Sequence, residues 1–190
     1  MASIWLRRPP EQTLAAPVQV GQRVPSSPDL AATTPWRLVA FVRHVGCPFA
    51  EHTVKVLRVW AEAHPDVTVF VVSHGDPAST HAWLDAIGGA GRIRLVIDPT
   101  RGLHGQWGVG YARLWHFAGP RSLLGVMRLW TQGIHNRSAS GTRWQRAATF
   151  LIGGDRVVWR HQPSSAEGFS LPPDTLLSKG HTPFKTRRSS

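Results

Sequence analysis

The apolar positions of this chain fall into short blocks whose period changes along the sequence. Residues 37–43, RLVAFVR, form a compact run of strand-forming side chains bounded by Pro35 and by a turn at Gly46. This is the pattern of a strand covered on both faces. From Pro48 the period lengthens: Val54, Leu57, Val59 and Trp60 recur near helical spacing, with Glu51, Lys55, Arg58 and Glu62 on other faces, until His64-Pro65-Asp66 stops the pattern. VTVFVVS (67–73) predicts a second strand, PASTHAWLDAIGG (77–89) a helix opened by Pro77 and closed by glycines, and RIRLVID (92–98) a third strand. Strands and helices alternating in this way predict βαβ units around a mainly parallel sheet.

The second half changes character. SLLGVMRLW (122–130) predicts an apolar helix that packs on the domain or walls a site, and AATFLIGGDRVVWRH (147–161) predicts two strands joined as a β-hairpin through Gly153 to Arg156. The expected fold class is therefore α/β: a central mixed sheet flanked by helices, with a C-terminal β-hairpin. Residues 1–35 hold six prolines and little periodicity, which predicts an extended N-terminal arm ahead of a domain spanning 36–178. Residues 179–190 read as a flexible basic tail.

Composition narrows the function. With 190 residues, 42% of them hydrophobic, the chain supports one domain with a substantial core. The formal net charge of +11 favours anionic partners in general, but the arginines are scattered from Arg7 to Arg188. No zinc-finger spacing, RNA-binding aromatic signature or helix-turn-helix pattern accompanies them, so nucleic acid is not an expected partner. No apolar run reaches the roughly 18 residues a membrane span needs, and the N-terminus has no signal-peptide core. The ten histidines show no i, i+4 pair and no thiolate cluster, so no metal centre is expected. GGAG (88–91) follows a helix and precedes a strand, the reverse of a dinucleotide-binding fingerprint. Trp107, Trp115 and Trp130 are expected as core or lid aromatics.

The one position that invites chemistry is Cys47, the single cysteine. It cannot form an intrachain disulfide, which points to a reducing, cytoplasmic setting. Two readings of it stand open: a small buried hydrophobe, or a nucleophile at a helix N-terminus. In the second, Pro48 fills the first helical position, backbone N–H groups and the helix dipole favour a thiolate, and Arg43 and His44 add positive potential. His52, on the following helix, is expected at the surface.

FVRHVGCPFAE after a strand, followed by FVVSHGDPASTHAWL, LVIDPTRGLHGQWGVG, FAGPRSLLGVMRLW and GTRWQRAATFLIGGDRVVWRH, resembles the AhpC/TSA peroxiredoxin-like family over roughly residues 36–178. More narrowly it resembles the branch with prostamide synthase-like members and fungal homologues. The resemblance implies a thioredoxin-like fold and redox chemistry at Cys47, which would reduce a hydroperoxide or related oxidised small molecule. Two positions depart from the family pattern. Peroxiredoxins place Thr or Ser three residues before the reactive cysteine and Pro four residues earlier still, where this chain has His44 and Ala40. Ala50 stands where a thioredoxin-type second cysteine would be, so an external thiol reductant, glutathione or thioredoxin, is expected, and no bound cofactor. The family's site arginine points to Arg143, with Arg146 second. Pro48, Phe49, Trp144 and Gln145 are the expected substrate-binding residues. A homodimer is left open. The alternative function is an accessory or tailoring protein of a fungal specialised-metabolite pathway that keeps the pocket without peroxidase turnover.

Overall fold

The computed structural model describes residues 12–112 and 119–178. Trp115 and the basic tail lie outside the described residues. Five strands form one sheet: β1 (Trp36–Phe41), β2 (Val67–Ser73), β3 (Arg94–Ile97), β4 (Ala148–Gly153) and β5 (Arg156–His161), in the order β3-β2-β1-β4-β5. β1 is central. It pairs parallel with β2, Leu38 opposite Val69, and antiparallel with β4, Leu38 opposite Leu151. β3 extends the parallel half and β5 closes the antiparallel half as the expected hairpin. The sheet is mixed and thioredoxin-like, with α1 (Pro48–Ala63), α2 (Pro77–Ala86), α3 (Gly102–Gln106), α4 (Pro120–Thr131) and a last turn α5 (Thr175–Ser178) around it.

Strand side chains alternate between faces, so the sheet carries two cores. Leu38 and Ala40 of β1 meet Val54, Leu57 and Trp60 of α1 on one face. Val39 and Phe41 meet Phe70, Trp107 and Phe150 on the other. The fully buried aliphatic residues among them, such as Leu57 and Val72, each contribute about 1.5–3 kcal/mol by leaving water.

Three expectations are corrected. β1 ends at Phe41, so residues 42–47 are a loop. α3, α5 and a 3₁₀ turn at Pro28–Leu30 were not anticipated, being too short to show a period. The lead-in is irregular, as its prolines suggested, but it is not a free arm. Ala15 N–H donates to the Gly105 carbonyl at 3.0 Å, Gly21 N–H to Val157 at 2.7 Å, and Val157 N–H returns to Gln22 at 3.0 Å. Val18 and Leu30 are buried in the second core, so the described lead-in packs as part of the domain.

Candidate active site

Three parallel strands deliver their carboxyl ends to one edge of the molecule, the place where open α/β sheets hold their ligands. Beyond β1 lies Cys47, beyond β2 His74, and beyond β3 Asp98. The Cys47 loop is clamped from outside by residues 137–140. Val45 and Ser140 exchange backbone bonds of 3.1 and 3.3 Å, and Arg137 N–H donates to the Gly46 carbonyl at 3.0 Å. Gly46 has φ +82°, and a Cβ there would fall 2.7 Å from the Arg137 carbonyl oxygen. Only glycine fits both the angle and the approach.

Cys47 is the N-cap of α1. Its backbone is extended (φ −75°, ψ 128°), its carbonyl accepts the first helical bond from Glu51 at 3.0 Å, and Pro48 takes the first helical position. It is also 3% exposed and part of the first core. It has the helix N-terminal position that the nucleophile reading requires and the packing of the buried-hydrophobe reading, and its thiol makes no capping hydrogen bond.

The charges around it correct one expectation. His44 does not supply positive potential. Burial chiefly, then Arg43, Arg143 and His74, hold its imidazole well below its ordinary value, so it is neutral at physiological pH. The positive field comes from the arginines. Arg43 is 4% exposed, and its Nη2 donates to the Arg143 carbonyl at 3.0 Å. Arg43, His44 and Arg143 thus gather from the loop after β1 and the segment before β4, and Cys47 joins them through its backbone N–H, which donates to the His44 carbonyl at 3.2 Å. Arg146 instead donates to the Pro163 carbonyl at 3.2 Å.

Sequence reasoning missed two supporting groups. The Glu51 carboxylate, 1% exposed, accepts from Lys55 Nζ at 2.7 Å and Arg137 Nε at 3.0 Å. Burial pushes it up, but the two hydrogen-bonded cations outweigh this and leave it below its ordinary value. The second group is a buried array after β2 and β3. His104 Nδ1 lies 2.8 Å from Asp98 Oδ2, and the same oxygen accepts the His104 backbone N–H at 3.1 Å. The His74 ring stands edge-on to His104, centroids 5.4 Å apart, and its Nε2 is 3.1 Å from the Thr142 carbonyl. Burial, then His104, push His74 down to about 3. Polar residues just past two strands were the available signal.

A cleft opens at the start of α1. Its inner part, lined by Arg43, Phe49, Ala50, Thr149 and His161, has space for about 20 Å³, enough for a water-sized guest. Its outer part, about 230 Å³, runs between α1 and α4 past Phe49, His52 and Arg128. Phe49, His52 and Glu167 wall both parts, which makes them neighbours. His52 is half-buried at the surface and lines this cleft. Pro48 is buried at the helix start. Trp144 is half-buried, with its carbonyl accepting Ala112 N–H at 2.6 Å. Gln145 is fully buried and its Nε2 is committed to the Val109 and Gly110 carbonyls at 2.6 and 3.1 Å, so it ties a loop and is not among the residues lining the described clefts. The apolar wall expected of residues 122–130 is also corrected: Leu123, Leu124, Met127 and Trp130 are 50–65% exposed, while Leu129 enters the core and Gly125 meets the Phe49 ring.

Fold and site together define a thioredoxin-like protein whose lone cysteine caps the first helix of the core. The chain belongs to the AhpC/TSA antioxidant enzyme family, whose model matches residues 57–164. That span begins at Leu57, past Cys47. No curated protein sequence matches. Among solved structures, a peroxiredoxin-like protein from Aquifex aeolicus is similar with a TM-score of 0.58 at 16% identity, covering 87% of this chain and 88% of that one. A thiol peroxidase from Chromobacterium violaceum is similar at 0.56 and 14% identity, covering 83% of each chain. These likenesses extend the fold agreement over most of the chain. No helix among the described residues is long and apolar enough to cross a membrane.

Proposed function

We propose that this protein is a one-cysteine thiol peroxidase in which Cys47 reduces a hydroperoxide or related oxidised small molecule. The observation that carries this reading is the position of the chain's only cysteine: N-cap of α1, at the end of a loop in which Arg43 donates to the Arg143 carbonyl and both arginines act on His44. In this reading the sulfur is the nucleophile, and the helix end and the guanidinium groups offer donors to the negative charge that develops during the reaction. The sulfur attacks the terminal peroxide oxygen; an S–O bond forms, the O–O bond breaks, and the departing alkoxide takes a proton to leave as alcohol, or as water from hydrogen peroxide. Cys47 becomes a sulfenic acid. An external thiol then displaces its hydroxyl as water to give a mixed disulfide, and a second thiol releases Cys47 and the oxidised reductant. Neutral His44, standing where the resembling family has a hydroxyl residue, offers one N–H without competing for charge. Arg43 supplies donors to the peroxide oxygens as negative charge develops.

The test is peroxide consumption with a thiol reductant across pH, together with dimedone trapping of a sulfenic acid on Cys47. Turnover lost in Cys47→Ser and a trapped adduct support the reading, and undiminished turnover in that variant removes it. The 3% exposure of Cys47 favours one rival, an accessory protein that binds in the cleft without turnover. A thiol inert to both peroxide and iodoacetamide in the folded chain would establish that rival.

A further inference from the structure

The inner cleft, lined by Arg43 and Ala50 on either side of Cys47 in sequence though not by Cys47 itself, admits about 20 Å³; a larger reactant extends beyond it, and the outer part, which shares Phe49, His52 and Glu167 with it, is the adjoining space. That outer part has a marked chemistry. Arg128 and Gln132, four residues apart in the last turn of α4 and its cap, share one helix face toward it. His52 stands opposite on α1. Burial, then Arg128 and Lys55, lower its proton affinity, so it acts as a neutral hydrogen-bonding ring. Lys55 is itself engaged by Glu51 at 2.7 Å. The one carboxylate lining the cleft among the described residues, Glu167, accepts from Ser122 Oγ at 3.0 Å and Ser165 Oγ at 2.7 Å. The cleft therefore presents a guanidinium, an amide and an imidazole beside an acid already holding two hydroxyl donors. Its inner end reaches Arg43 and Ala50 of the Cys47 loop and helix.

Resting on the thiol-peroxidase reading, we propose that His52, Arg128 and Gln132 bind the carboxylate tail of a small molecule whose other end reacts at Cys47. Two reactants have such chemistry, a carboxylate-bearing thiol reductant and a carboxylate-bearing hydroperoxide. A guanidinium pairs with a carboxylate through two parallel donors, which fixes the tail's direction as well as its affinity. Arg128 is exposed, so replacing it leaves no cavity in the core.

The test compares Arg128→Ala with the unaltered chain. With hydrogen peroxide as oxidant, the ratio of kcat/KM for glutathione over neutral 2-mercaptoethanol is expected to fall about tenfold, equivalent to about 1.4 kcal/mol, and less at high salt. With 2-mercaptoethanol as common reductant, the ratio for a fatty-acid hydroperoxide over cumene hydroperoxide is read in parallel. A fall in either ratio supports the site and says which reactant carries the tail; no change in either overturns it. Absence of turnover with every pair strikes the peroxidase reading instead. The site is then decided by titrating S-methylglutathione, which cannot react. Tenfold weaker binding in Arg128→Ala supports the site, and equal binding or none overturns it.

Discussion

Two buried histidine clusters sit side by side at the carboxyl ends of the parallel strands, and they are electrically opposite. His104 is held by a carboxylate: Asp98 lies 2.8 Å from its Nδ1 and also takes its backbone N–H. His44 is surrounded by cations, Arg43 and Arg143, and no acid figures among the groups that set its protonation. Burial keeps His104 neutral while its hydrogen bonds hold Asp98 ionised, so this cluster carries a negative charge fixed on the carboxylate. Cations gathered around a neutral imidazole leave their field available to an anionic guest, and Cys47 is a near neighbour, its N–H donating to the His44 carbonyl at 3.2 Å. The Asp98 cluster thus ties the ends of β2 and β3 to α3, whereas the His44 cluster is the one that the proposed reaction would use for an anion.

The largest effect should fall on the second cluster. Arg43→Ala removes a buried guanidinium from the site and is expected to slow the reaction of Cys47 with peroxide about a hundredfold, the usual loss for one preorganised donor. Stopped-flow measurement of the single-turnover rate checks it. Arg43→Lys should recover only part of the loss, because a point charge cannot reproduce the planar fork. A rate within a few-fold of the unaltered chain would erase the contrast between the clusters.

Asp98→Asn should do the reverse. Two hydrogen bonds to a charged acceptor are weakened, with an expected loss of about 3 kcal/mol of stability and a peroxide rate changed far less than in Arg43→Ala. Urea unfolding with the same stopped-flow assay separates the two. If Asp98→Asn slows the reaction as much as Arg43→Ala, the clusters act as one.

Acid acts on both clusters in the same direction. His44, His74 and His104 all have folded-state proton affinities below the ordinary value of 6.5, burial being the first cause in each. Above pH 6.5 both folded and unfolded chains keep these rings neutral and nothing is lost. Below it the unfolded chain takes up protons that the folded one refuses, and stability falls by about 1.4 kcal/mol per pH unit for each ring. For His74 the fall continues down to about pH 3. Unfolding free energy measured from pH 7.5 to 5 should therefore drop with a slope that shrinks in His74→Gln.

Much of this arrangement can be read along the chain and much cannot. β1, α1, β2 and the hairpin follow from periods of two and of 3.6, and the Gly46-Cys47-Pro48 junction announces a capped helix because cap, turn and first helical residue are neighbours in sequence. His44 is legible as a neighbour of the thiol but not as neutral, since one cation that keeps it so, Arg143, arrives from the far end of the domain. Glu51 reads as an exposed helix face until Arg137, 86 residues away, is seen to pair with it. The lead-in shows no period because its prolines preclude one, yet Val18 and Leu30 still find the second core. Local pattern reports elements and caps; burial of polar groups depends on which distant segment closes over them.

The smallest effect tests the clamp on the thiol. Arg137 holds the Cys47 loop by two routes, its backbone N–H to the Gly46 carbonyl and its side chain to Glu51 Oε2 at 3.0 Å. Arg137→Ala keeps the first and removes the second. Its side chain is 40% exposed, so solvent screening limits the loss to about 0.5 kcal/mol. If that loss falls on local opening of residues 42–47, alkylation of Cys47 by iodoacetamide should quicken about twofold while global stability barely moves. Glu51 supplies an independent check. Its contribution is present above its ordinary value of 4.5 and is lost as pH falls through its lower folded value. With one of its two cations gone the folded value rises toward the ordinary one, so the loss should be smaller and complete at a higher pH. A variant whose alkylation rate and acid transition both match the unaltered chain would mean that the Gly46 backbone bond alone keeps the sulfur covered.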